Sequence, residues 1–300
     1  MIRLLIALMF LFNFLKITAQ DDIDNLLNEE LEKIPDYTTA TFKATRIING
    51  HSIERMQKGD LDFRIAHRFG TINSGAYNFY GLDYSSNQLG LEYGFSNKFM
   101  AGISRSTYQK TFAGFIKYSI VRQCSGSKNI PVSISYFSGM YINSLSWENN
   151  RKDFFSSRLA YAHQLLIARK FSPAFSAQIS PSLIHRNLVS DKDISNDFVA
   201  FGLAVRQKLT VRTAINIEYF YIPNLEKVSK IKIFCPLSLG LDIETGGHVF
   251  QVFITNSFTI NEHSFLSETT DNWFDGGIHL GFNISRVFTI NSNNRKNIKE

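Results

Sequence analysis

From residue 60 to residue 290, apolar side chains recur at every second position. The last such stretch, Gly276 to Ile290, shows the pattern most plainly. Ile278, Leu280, Phe282, Ile284, Phe288 and Ile290 take one parity, interrupted only by Arg286. Gly277, His279, Gly281, Asn283, Ser285, Val287 and Thr289 take the other. A period of two predicts a strand with one greasy face and one small or polar face. Ordinary strands have roughly 5–6 residues, whereas a tilted membrane-crossing strand needs about 9–11, and this stretch meets the larger requirement. The same alternation appears in Leu61, Phe63, Ile65 and Phe69, in Val199, Phe201, Leu203 and Val205, and in Leu237, Leu239, Leu241 and Ile243. Counted along the chain, it predicts about twelve spanning strands (10–14) and an all-β, antiparallel transmembrane barrel over residues 60–290.

The connections between these segments alternate in length. Short ones fall near Asn97, Lys170–Phe171, Gln207–Lys208 and Gly246–Gly247, and long ones near 70–86, 143–155, 187–197, 223–232 and 258–275. Bacterial barrels have short periplasmic turns and long external loops. On that rule the last strand runs inward and closes the barrel against the strand at 61–69. Arg286 then marks the periplasmic end of the apolar band, where a long cationic side chain reaches the headgroups. Residues 39–48 also look strand-like, through Phe42, Ala44, Ile47 and Ile48. As a thirteenth strand they would break the even count of single-chain barrels. They are therefore expected in the periplasm, or folded into the lumen as a partial plug.

Ahead of the barrel, Met1-Ile-Arg, an apolar run from Leu4 to Phe14 and Thr18-Ala19-Gln20 read as a signal peptide over 1–19. Residues 20–59 form a periplasmic N-terminal segment. Within it Ile23, Leu26, Leu27, Leu31 and Ile34 predict a short amphipathic helix that Pro35 ends. Residues 291–300 are a polar tail. The expected location is the outer membrane of a Gram-negative cell. Cys124 and Cys235 are expected to stay unpaired.

Composition sharpens this picture. Aromatic residues make up 14% and charged residues 19%, with 27 Phe and 12 Tyr. Charge is below the roughly 25% of a soluble domain, yet the mean hydropathy is only −0.09. Apolar and polar residues must therefore alternate finely, as a lipid face and a wet face require. No dense Lys/Arg run gathers the net charge of +6 outside the Arg295–Lys299 tail, and with the export signal a nucleic-acid partner is not expected.

Four stretches carry a resemblance: Gly59–Gly70, Tyr80–Asp83, Gly246–Gln251 and Leu280–Phe288. Together they resemble a membrane-bound β-barrel domain family of unknown function, a Bacteroidota-type outer-membrane barrel, over roughly residues 40–290. The resemblance implies the barrel and no activity.

On the polar parity, Arg64, Arg68, Lys117, Arg158, Arg206 and Arg212 are expected to face the lumen, against Glu92, Glu218, Asp242 and Glu244. The basic excess suggests a pore or transport barrel for small, anionic solutes. A cross-strand salt-bridge network filling a narrow barrel explains the same residues, and a plugged barrel serving as a structural or interaction module is the alternative function. A lipid hydrolase is weaker. His67 and His163 fall on the outward parity, but there is no Gly-x-Ser-x-Gly elbow and no catalytic residue is assigned. His51, His185, His248, His263 and His279 lack metal-ligand spacing, so neither metal nor cofactor is expected. Tyr77, Phe79, Tyr80, Tyr84, Trp147 and Trp273 lie in or beside long connections, as an outer aromatic girdle or a gripping surface.

Overall fold

The computed structural model describes residues 34–146 and 154–290. The expected signal peptide, all but the end of the expected amphipathic helix, Trp147 and the polar tail lie outside the described residues.

The chain divides into two compact units. In the smaller, strand β1 (Pro35–Tyr37) pairs antiparallel with a short strand at Cys124–Gly126, and the Arg122 guanidinium lies 4.8 Å over the Tyr37 ring. The larger unit is a closed barrel of antiparallel strands. In chain order they are β2 (Asp60–Thr71), β3 (Ser85–Gly94), β4 (Phe99–Ser106), β5 (Phe112–Val121), β7 (Ser133–Ile142), β8 (Leu159–Lys170) and β9 (Phe175–Arg186). They continue with β10 (Asp197–Lys208), β11 (Thr213–Tyr221), β12 (Leu237–Thr245), β13 (His248–Thr255) and β14 (His279–Thr289), the Cys124–Gly126 strand being β6. Both cysteines are free thiols.

Each barrel strand pairs with its chain neighbour, and β14 pairs with β2 through Ile284↔Ile65 and Phe288↔Leu61. Inward polar side chains reinforce that seam: Ser285 and Thr289 donate hydroxyl hydrogen bonds to Asp62 and Asp60, at 2.6 and 2.8 Å. Outward positions carry the apolar parity. Leu89, Ile103, Ile179, Phe201, Leu203 and Val252 are exposed large hydrophobics, the arrangement a lipid face requires. Arg286 is outward too, its guanidinium 4.8 Å over the Phe288 ring, at the end where Thr245–His248 turns.

The interior is not uniformly polar. Phe137, Phe220, Phe253 and Tyr141 point inward and are buried. Two glycines make room for their rings. A Cβ at Gly202 would stand 2.6 Å from Phe220, and one at Gly281 2.4 Å from Phe253, so a larger residue at either position has to displace the ring.

Residues 38–59 form no strand apart from an isolated bridge, Arg46↔His51. Thr41, Phe42, Ala44, Thr45 and Ile47 to Ile53 are buried. The connection between β13 and β14 also runs inward. Thr255 to Ser257 and Thr259 to Ser267 are buried, the latter ending in a short helix, Glu262–Ser267. The connection at 258–275, expected on the external side, thus has a buried part that folds inward.

Candidate functional site

The candidate site is the lumen and the chain segment seated in it. Thr45 to Ser52 fold into a small hairpin. Ile47 donates its N–H to the Gly50 carbonyl at 2.9 Å, and Ser52 donates to Thr45 at 3.0 Å. The tip of this hairpin would leave backbone groups unsatisfied in a closed interior, which is costly. The strands supply the partners. The Glu218 carboxylate on β11 accepts the N–H groups of Ile48, Asn49 and Gly50 at 3.0–3.3 Å. The Ile47 carbonyl accepts from Gln251 on β13 at 2.7 Å, and the Ile48 carbonyl accepts from Asn283 on β14 at 3.0 Å. The Asn49 amide donates to Ser238 on β12 at 2.8 Å and accepts from Arg68 on β2 at 2.9 Å. Five neighbouring strands thus read one tight turn.

The opposite wall holds the base of the hairpin. The Lys117 ammonium on β5 donates to the carbonyls of Thr45, Ser52 and Glu54 at 3.3, 3.0 and 2.8 Å. Glu92 on β3 accepts the Thr45 hydroxyl at 2.6 Å and pairs with Arg46 at 2.9 Å. Gln178 on β9 donates to the His51 carbonyl at 2.8 Å. Apolar side chains complete the seat: Phe42, Ile47, Ile48 and Ile53 are buried in one cluster with Phe137, Phe220 and Phe253.

The hairpin meets the inward helix at His51. Arg46 lies 2.7 Å from His51 Nδ1, which makes Nδ1 the acceptor and leaves the ring proton on Nε2. Nε2 has no hydrogen-bond partner, and the nearest Glu262 oxygen is 3.5 Å away. Glu262 accepts the Tyr141 hydroxyl at 2.5 Å. Phe137 and Phe115 enclose the imidazole, with centroids at 4.0 and 4.6 Å. Burial, then the cations Arg46, Lys117 and Arg64, hold the His51 pKa well below 6.5. His263 on the inward helix is pushed down to about 3 by burial and by Arg186.

The sequence-assigned residues divide. Arg64, Arg68, Lys117, Arg206, Glu92, Glu218 and Asp242 are buried on the inward parity, and Glu244 is half-buried at the rim, pairing with Arg206 at 3.1 Å and Lys43 at 2.8 Å. Arg158 and Arg212 lie just outside the strands, at their ends, rather than within the strand faces. Arg158 precedes β8 and donates to the carbonyls of Asn143 and Leu145 at 2.9 and 2.6 Å. Arg212 is exposed in the turn before β11. Alternation carries no information past a strand end, and both residues sit one step beyond one. Sequence reasoning missed Asp60 and Glu262 and did not count Asp62, all buried. Among the described residues the buried carboxylates are Asp60, Asp62, Glu92, Glu218, Asp242 and Glu262, beside buried Arg64, Arg68, Lys117 and Arg206.

On the outer face, His67 hydrogen-bonds Asn87 and stacks on Phe282 at 4.9 Å, and His163 hydrogen-bonds the Tyr136 hydroxyl at 2.8 Å. Tyr77, Phe79, Tyr80 and Tyr84 are exposed, whereas Trp273 donates its indole N–H to the Leu237 carbonyl at 2.9 Å. No group of three or more His, Cys, Asp or Glu among the described residues could hold a metal ion.

A family model described as "Membrane bound beta barrel domain (DUF5777)" matches residues 42–288. Solved structures similar to this chain include the KdgM porin, at 10% identity and TM-score 0.45, covering 76% of this chain and 99% of that one. The NanC porin is similar at 9% identity and TM-score 0.46, covering 76% and 98%. The CymD monoaromatic hydrocarbon channel is similar at 9% identity and TM-score 0.37, covering 78% and 89%. No curated protein matches the chain.

Proposed function

The chain belongs to the family of membrane-bound β-barrel domains, and from that premise we propose that it is an outer-membrane channel-type barrel held closed at rest by its own residues 41–53. The observation that carries this reading is the turn at Ile47–Gly50, whose backbone is taken up by inward side chains of five adjacent strands. A segment resting in an open pore would bond to water instead. The inward helix Glu262–Ser267 adds a second obstruction from the end with long connections. Passage of a solute then requires both elements to yield. A standing anion-selective pore is disfavoured, because Asp60, Asp62 and Glu262 add buried carboxylates beside the buried basic side chains. The barrel is assigned no catalytic step: His67 and His163 engage Asn87 and Tyr136 rather than a serine.

Planar-bilayer recording tests the reading. The full chain at neutral pH is expected to insert without steady current. A variant lacking residues 41–53, checked for barrel folding by its heat-dependent electrophoretic shift, is expected to pass a steady ohmic current. Steady current through the full chain overturns the closed reading. A folded but insulating deletion variant favours a purely structural or interaction module.

A further inference from the structure

A second cavity lies apart from the inner hairpin, at the end of the barrel with the long connections. It is an open cleft of about 560 Å³, within the roughly 300–1,000 Å³ of small-molecule sites. Three aromatic residues, Tyr84, Tyr108 and Phe258, line it among mostly small and polar ones, with Phe258 set edge-on to Tyr108 at 6.4 Å. Its charged groups are carboxylates, Glu268 and Asp271, and no Lys or Arg lines it.

The two carboxylates are not equivalent. Asp271 is engaged by His279 Nε2 at 3.1 Å. Glu268 has neutral partners: the Gln109 amide donates to it at 3.3 Å, and the Tyr108 hydroxyl donates as well. No Lys or Arg of the described residues pairs with Glu268 within 4 Å, and Arg186 acts on it only at longer range. Burial raises the Glu268 carboxyl above its ordinary value. A half-buried carboxylate in a pocket that also presents aromatic rings, without a matching cation, is complementary to a cation from outside. Ring quadrupoles and the carboxylate attract the same charge, and desolvation strengthens both.

We propose that this pocket binds a small organic cation, its ammonium group held against the Tyr84, Tyr108 and Phe258 rings and the Glu268 carboxylate. The site is independent of the closed-barrel reading, since no residue of the inner hairpin lines it. It has one structural tie to the lumen: Glu268 caps the inward helix, its N–H bonding the Ser264 carbonyl at 2.8 Å.

Calorimetric titration of the full chain in detergent with choline, with its uncharged isostere 3,3-dimethylbutanol and with glucose tests the assignment. Choline is expected to bind, with the isostere at least about tenfold weaker, in the range of a desolvated cation–π and carboxylate pair. Glu268→Gln is expected to cost about tenfold in choline affinity. Thr270→Trp, which fills the pocket and leaves the carboxylate in place, is expected to abolish binding. Choline affinity should also rise with pH as Glu268 ionises, at a pH above the ordinary carboxylate range. The groups facing Glu268 are Tyr108, Gln109 and Arg186, with Asp271 and His279 across the pocket. Equal affinity for choline and its isostere, absence of choline binding, or an unaffected Glu268→Gln variant overturns the proposal. Binding of glucose in place of choline overturns it in favour of a polyol site. Barrel folding of each variant is read from its heat-dependent electrophoretic shift, and none of these outcomes depends on conductance.

Discussion

Glu218→Ala is expected to convert the closed barrel into one that conducts for most of the recording, while the barrel itself still assembles. The carboxylate is buried on β11 and accepts three consecutive backbone N–H groups, those of Ile48, Asn49 and Gly50. Hydrogen bonds to a charged acceptor contribute about 1.5–3 kcal/mol each, and a buried donor left without a partner costs about 1–3 kcal/mol. Alanine leaves all three donors facing a methyl group. Water entering the space offsets part of that loss, so a net cost of about 3–5 kcal/mol to the seated hairpin is reasonable. Each 1.4 kcal/mol is a factor of ten, so the seated-to-released ratio falls by two to three orders of magnitude. The strand ladders on either side of β11 involve backbone groups and are untouched. Glu218→Gln is expected to be nearly as disruptive, because its amide nitrogen is a donor presented to donors. Single-channel recording of the three proteins side by side reads the effect as open probability. A Glu218→Ala barrel that folds and stays as quiet as the parent contradicts the assigned role of this carboxylate.

Acidification is expected to open the parent protein. His51 is buried with its pKa held well below 6.5, and His263 on the inward helix is at about 3. A hydrated histidine has a pKa near 6.5. The released state therefore binds protons that the seated state refuses. For a depressed histidine, the stability of the seated state is fully present above pH of about 6.5 and is lost as pH falls below it. Each unit is worth about 1.36 kcal/mol, so at pH 5 His263 weakens its element by about 2 kcal/mol, and His51 acts in the same direction. Several charges bear on the His51 ring: Arg46 at Nδ1, Glu262 beyond Nε2, and Lys117 and Arg64 at longer range. The cations and burial outweigh the single nearby carboxylate. Recording from pH 7.5 to pH 5 is expected to show current rising below about pH 6.5. His51→Phe, which keeps an aromatic ring between Phe115 and Phe137, is expected to flatten much of that rise. A parent barrel equally silent at pH 5, or a His51→Phe variant with an unchanged profile, counts against this coupling.

The barrel wall was legible because a lipid face and a polar face impose a period of two that no loop imitates. Leu280, Phe282 and Ile284 against Gly281 and Asn283 gave the last strand, and the alternation of short and long connections gave closure of β14 on β2. The occupant of the lumen was less legible, for a physical reason. Phe42, Ile47, Ile48 and Ile53 look strand-like because buried irregular chain needs the same apolar side chains as a strand. Their hydrogen bonds come from side chains distant in sequence, Glu218 and Asn283 among them, which no local pattern records. One clue was present. Phe137, Phe220 and Phe253 lie on the polar parity, and an aromatic ring pointing into a lumen needs something to pack against. Arg158 and Arg212 were assigned by parity but lie just beyond strand ends, which, unlike strand faces, leave little trace in the alternation. Asp60 escaped notice for the same reason, since it opens β2 directly after Gly59. Glu262 is carried by a connection, where inward and outward cannot be read from parity.

Amide hydrogen–deuterium exchange of the full chain, followed at Ile48, Asn49 and Gly50, tests the seated hairpin most directly. The account predicts protection at these three amides comparable to that of the β11 and β13 strand amides, persisting for hours at neutral pH. Complete exchange within seconds, at the rate of an open loop, would contradict it.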